Sequence, residues 1–124
     1  MNFQKVVSEL NVKYPGKNVV VEDDGEYQEI VVELEPTADN PEKSLALAVV
    51  GKSKPHYHNK TIEIYEAIRG RLTVNIEGKD HVLNEGERIT IEPGKVHYAQ
   101  GEETWFNTHS TPGWSPDDHI FVGL

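Results

Sequence analysis

Cysteine is absent from the 124-residue chain, which excludes a disulfide framework and a thiolate metal site. Any bound metal must therefore take nitrogen or oxygen donors. Apolar runs are short. None approaches the roughly 18 residues that a membrane-spanning helix needs, and the opening MNFQKVVSEL lacks the long apolar core of a signal peptide. The expectation is a soluble, cytoplasmic protein with no membrane partner. Basic residues are scarce as well, 12 Lys and Arg against 21 Asp and Glu, for a net charge of −9. Phosphate backbones are bound by clustered cations, so no nucleic-acid partner is expected. Small molecules, metal cations and other proteins remain.

The length fits one domain over residues 1–124, since a second hydrophobic core would be too small to stand alone. The mean hydropathy of −0.58 suits strands that alternate between wet and dry faces. Phe3, Val6, Val7 and Leu10 recur at helical spacing, predicting a short amphipathic helix that Pro15 and Gly16 end. Beyond it the apolar residues gather in short β-branched runs, Val19 to Val21, Ile30 to Leu34, Leu45 to Val50, Ile62 to Ile68, Leu72 to Ile76, Val82 to Leu83 and Ile89 to Ile91. Turn signals such as Asp24-Gly25, Glu77-Gly78 and Pro93-Gly94 separate them. This pattern predicts an antiparallel sandwich or barrel. Near the end Ser115 is placed to cap a helical turn with Pro116 first inside it, and the tail is expected to fold back over the barrel.

His56 and His58 are separated by one residue, and a strand sends such a pair to the same face. Glu63 follows after four residues and adds an oxygen donor from the next strand or the turn before it. His97, just past the Pro93-Gly94 turn, supplies a fourth donor. A site gathered from separate strands requires a closed barrel.

Two stretches carry a family resemblance. After His58 come four residues, Glu63, six residues and Gly70; further on, Gly86, Gly94 and His97 stand in series. Together they resemble the two signature motifs of the cupin superfamily, in particular the small mannose-6-phosphate-isomerase-like cupins. Three departures are visible: four residues rather than five between Gly51 and His56, a proline one place late at Pro93, and Gly101 where the family has asparagine. The resemblance implies an all-β cupin double-stranded β-helix, a jelly-roll barrel with a short N-terminal helix, whose motif-bearing core covers about residues 44–110. It also implies one divalent metal held by His56, His58, Glu63 and His97, with positions left open for water or substrate. Nitrogen and carboxylate donors without sulfur suit Mn, Fe, Co, Ni or Zn.

Tyr65 shares the parity of Glu63 and is either a catalytic hydroxyl in the barrel or a packed aromatic. In the 104–110 strand parity leaves open whether Trp105, Asn107 and His109 face the cavity, and His109 is a candidate second catalytic residue on that basis. Trp114 is either a lid or a plug at the barrel mouth. His81 and His119 are expected at the surface or in caps, and Lys54, Arg69, Arg71 and Arg88 as solvated cations. The function expected is that of a metal-dependent enzyme acting on a small oxygen-rich ligand such as a sugar or sugar phosphate, of isomerase or epimerase type. The alternatives are an iron-dependent dioxygenase and a non-catalytic binder of small ligands. The apolar helix and strand edges lead to the expectation of a homodimer.

Overall fold

In the computed structural model, which describes residues 1–122, the predicted helix and strand runs all form. Helix α1 spans Phe3–Lys13. Asn2 caps it by accepting the Lys5 N–H, and the Tyr14 N–H closes it on the Leu10 carbonyl at 2.8 Å. Ten strands follow: β1 (Val19–Asp23), β2 (Gln28–Glu35), β3 (Ser44–Lys52), β4 (His56–Tyr57), β5 (Ile62–Arg69), β6 (Leu72–Ile76), β7 (Lys79–Leu83), β8 (Arg88–Ile91), β9 (His97–Thr111) and β10 (Ile120–Phe121). A 3-10 turn at Pro116–Asp118, capped by Ser115, precedes β10.

Strand β9 is the spine. Its first residues pair antiparallel with β6, its last with β5, and its other edge runs along β3 and touches β4. One long strand with partners on both edges makes the sheet curl, and the result is the jelly roll the motifs imply. The strand is longer than the 104–110 segment visible in the sequence, because polar residues from Gln100 to Glu103 interrupt its apolar pattern.

Strand β3 shows why the Leu45 to Val50 run is continuously apolar. Ala48 and Val50 point into the barrel with Tyr65, Leu72, Val74 and Phe106. Leu47 and Val49 point the other way, to a second core shared with Val6, Leu10, Ile30 and Trp105. A strand covered on both faces loses its polar alternation. The helix is also held at its rim, where Arg69 bonds Glu9 at 2.8 Å and lies 4.0 Å over the Trp105 ring.

A turn and a crowded strand position depend on glycine. Glu77 and Gly78 both have positive φ, 51° and 82°, as the tight hairpin between β6 and β7 requires. At Gly101 a Cβ would collide with the Thr104 hydroxyl and lie 3.1 Å from the Arg71 carbonyl. That crowding leaves room for glycine alone at this position. Among the described residues no helix is long and apolar enough to cross a membrane.

Because Leu10 is fully buried in the helix-side core, Leu10→Ala should lower unfolding free energy by about 3 kcal/mol. Urea denaturation followed by tryptophan fluorescence checks this, and a change below about 1 kcal/mol would mean that the helix does not pack as described.

Candidate metal centre

The barrel brings His56, His58, Glu63 and His97 together. One donor atom from each lies within 4.8 Å of all the others, and all four residues are buried. Cross-strand pairing sets the position of two of them, since His56 and His97 are direct partners between β4 and β9. Glu63 enters from β5, flanked by Ile91 of β8 and Ser110 of β9. His58 lies just past β4, and its carbonyl accepts the Gly94 N–H at 2.7 Å. The Pro93-Gly94 turn therefore fastens the second motif to the first.

The imidazoles are oriented through their outer nitrogens. His56 Nδ1 meets the Lys54 carbonyl at 2.9 Å, His97 Nδ1 the Lys95 carbonyl at 2.8 Å, and His58 Nδ1 the Asp118 carbonyl at 2.6 Å. A carbonyl only accepts, so each Nδ1 carries the proton and each neutral ring offers the lone pair of Nε2. His97 Nε2 then sits 2.9 Å from Glu63 Oε1. His58 Nε2 is equally close to that oxygen but out of line for a hydrogen bond, and it has no other partner.

Lone pairs and a carboxylate facing one another in a buried space need either protons or a cation between them. The titration behaviour says the same. Burial would lower His58, but the Glu63 carboxylate 2.9 Å away raises it above the ordinary value. Burial would raise Glu63, yet the His58 and His97 rings, each 2.9 Å from its Oε1, hold it well below the carboxylate range. His56 is pushed down to about 3 by burial and by the charges of His97 and His119. The donors fit a divalent cation in type, number and orientation.

A cavity of about 200 Å³ opens onto His56 and Glu63. Tyr65 lines it, with its ring 5.8 Å from His97 and 4.8 Å from Phe106, and burial followed by the Glu63 and Glu29 charges raises its hydroxyl well above 10. The hydroxyl therefore keeps its proton at neutral pH. His109 takes a different place from the one considered for it: Phe106, Thr108 and Ser110 face the cavity, while His109 lies on the opposite face of β9, 3.2 Å from Glu66. The pleat sends alternate residues to opposite sides, and Thr108 occupies the inward position.

Two cavity residues were not singled out from the sequence. His119, expected at the surface or in a cap, stacks on His56 with ring centres 4.0 Å apart and accepts the Trp114 indole N–H at 2.9 Å. Burial and the His58 charge bring it down to about 4. Glu29 of β2 points into the cavity; burial, then the charges of Glu22 and Glu63, push its carboxyl up to about 8. Among the expected solvated cations, Arg69 and Arg88 are engaged by Glu9 and Glu66, while Lys54 lines the cavity beside Asp24.

With the geometry in hand, comparison with known proteins adds the following. A family model described as "Cupin domain" matches residues 45–105. An oxidoreductase of Arthrobotrys oligospora is 34% identical over 85 residues, covering 67% of this chain and 30% of that protein. The chain thus spans about a third of the length of this curated relative. A Streptomyces PAC13 variant with uridine is similar in structure at a TM-score of 0.74 and 11% identity, covering 87% of this chain and 86% of that one. PAC13 is described as a nucleoside dehydratase. A cupin-2 domain from Rhodospirillum rubrum also reaches a TM-score of 0.74, at 12% identity over 89% of this chain and 78% of its own. At such identities the structural likeness speaks for the fold.

Glu29 makes a stability prediction. Its folded value, about 8, lies above the ordinary 4.5, so the folded protein keeps a proton that the unfolded chain loses between those values. Stability then falls as pH rises through this window. Glu29→Gln should melt at nearly the wild-type temperature at pH 4.5 and at a higher temperature at pH 8. Parallel melting curves for the two proteins at pH 8 would show that the carboxyl is not desolvated.

Proposed function

We propose that this chain, which belongs to the cupin family, holds one divalent transition metal through His56, His58, Glu63 and His97 and uses it to move a proton on a small oxygen-rich molecule of sugar type. The observation that carries this reading is the opening of the cavity directly onto His56 and Glu63. When bound, a divalent metal polarises neighbouring hydroxyl and carbonyl oxygens and acidifies the C–H between them. The chain's own residues supply the rest. Tyr65 keeps its phenolic proton and donates a hydrogen bond to a ligand oxygen in the cavity. Glu29, its carboxyl near 8, is ionised in a fraction of molecules at neutral pH; in that form it takes the proton from the acidified C–H, and as the acid so formed it returns the proton to the neighbouring carbon. Phe106 and Ala48 keep the inner end apolar and limit water.

Isomerisation or epimerisation of a sugar or sugar phosphate is the reaction type we favour. A second reading, iron-dependent oxidation with dioxygen, is favoured by the oxidoreductase relative. The donors accommodate Mn, Fe, Co, Ni or Zn, and the cytoplasmic setting expected from the sequence belongs to the same reading.

Protein loaded with each metal should hold one ion per chain by elemental analysis, and His97→Ala should lose most of it. A wild type that stays empty after loading with all five would end the reading. Mn- and Zn-loaded protein incubated with aldoses, ketoses and their phosphates in D2O should then place deuterium at carbon, seen by NMR and lost in His97→Ala. Oxygen uptake by the Fe form without deuterium incorporation would establish the oxidative reading instead. Binding with neither reaction would leave a non-catalytic ligand binder.

A homodimer belongs to this proposal. Strand β1 is an edge, with Val20 and Val21 exposed by 42% and 48% and no strand beyond them among the described residues. Such an edge invites pairing with a second copy. Light scattering at micromolar concentration should give twice the chain mass, and a monomer would refute it.

A further inference from the structure

We infer that the cavity selects a ligand without negative charge, an uncharged polyhydroxy compound whose hydroxyl groups donate to a carboxylate wall on β1 and β2. The inference rests on the metal reading above and narrows its substrate class. Register places the wall: Glu22 lies directly across from Glu29, and the pleat sets Glu33 and Glu35 on the same side as Glu29. All four acidic side chains line the cavity, Glu29 mostly protonated at neutral pH, and Glu63 of β5 lines it as well.

The cations do not balance them. Among the described residues Lys54 alone of the lysines and arginines lines this space, and it stands 3.4 Å from Asp24. Phosphate and carboxylate groups are held by guanidinium forks or by clusters of backbone N–H groups, and no arginine reaches the lining. Carboxylates accept O–H donors readily. The Glu29 carboxyl has no hydrogen-bond partner among the described residues, so its oxygens are free for a ligand. Trp114 and Phe121, exposed by 38% and 57% beside the mouth, offer flat apolar surfaces to the C–H face of a sugar ring.

The test compares matched pairs, glucose with glucose 6-phosphate and mannose with mannose 6-phosphate, so that both members meet the same metal. Paramagnetic broadening of ligand protons by Mn-loaded protein is read against the Zn-loaded form as blank. We expect the neutral sugars to broaden at least about fivefold more than their phosphates, by like-charge repulsion at the wall. The ratio should shrink in Glu22→Gln/Glu33→Gln/Glu35→Gln and in 0.5 M NaCl (about a 4 Å screening length). Phosphates that broaden as strongly as their parents, a ratio that ignores both salt and the triple variant, or no response to either neutral sugar would overturn the inference. Metal content is measured on the same sample. If it is empty the metal reading has failed by itself, and the same pairs are compared through ¹⁵N amide shifts of β2 in metal-free protein, with the same outcomes decisive.

Discussion

The donor atoms of His56, His58, Glu63 and His97 face one another in a buried space at the cavity's inner side, and most of what surrounds them keeps them there. Two of the imidazoles are tethered locally, each to the carbonyl two residues upstream, so the backbone just before β4 and β9 fixes their direction. His58 is tethered by Asp118, sixty residues away. The same Asp118 accepts the backbone N–H groups of Asn59, Lys60 and Thr61 through its carboxylate. One residue thus shapes the loop after the second histidine and sets the tautomer of its ring. Unmatched acceptors held this rigidly cost stability until a cation or proton meets them, and the two cores on either side of β3 provide the packing that offsets this cost.

Strand β9 connects those cores to the site. Its N-terminal residue is His97, its middle carries Trp105 to the helix side and Phe106 to the barrel side, and Ser110 near its end faces the cavity beside Glu63. Disturbance of the helix-side core through Trp105 therefore reaches a strand that also carries a ligand. The rim contacts of Arg69 with Glu9 and with the Trp105 face hold the helix against that strand from outside. A surface ion pair of this kind contributes little by itself; its geometry keeps the aromatic ring in register.

Much of this was legible in the residues. Strand runs, the hairpin at Glu77-Gly78 and the capped turn at Ser115 follow from local chemistry, and a His-x-His pair with a downstream glutamate and histidine carries its own spacing. Other features depend on relations between distant segments, which a single sequence does not encode locally. Parity could not say which face of β9 turns inward, because Trp105 and Phe106 are both buried, on opposite sides. His119 resembled a surface histidine because its partners, His56 and Trp114, meet it only once the tail folds over the mouth. Glu29 resembled any solvated strand acid, and only the neighbouring Glu22 and the cavity beyond distinguish it. The two-residue strands β4 and β10 lie below the length at which periodicity carries a signal.

The matched family region stops at residue 105, well short of Asp118 and His119. The outer support of a buried imidazole thus comes from a stretch that contributes only the two-residue strand β10 to the sheet. The segment is held through loop contacts, Asp118 to Asn59, Lys60 and Thr61 and the Val122 N–H to the Pro55 carbonyl, with only β10 in the ladder. A change in this segment would alter the basicity of one histidine and the shape of the entrance together, while the four donors themselves stay in place.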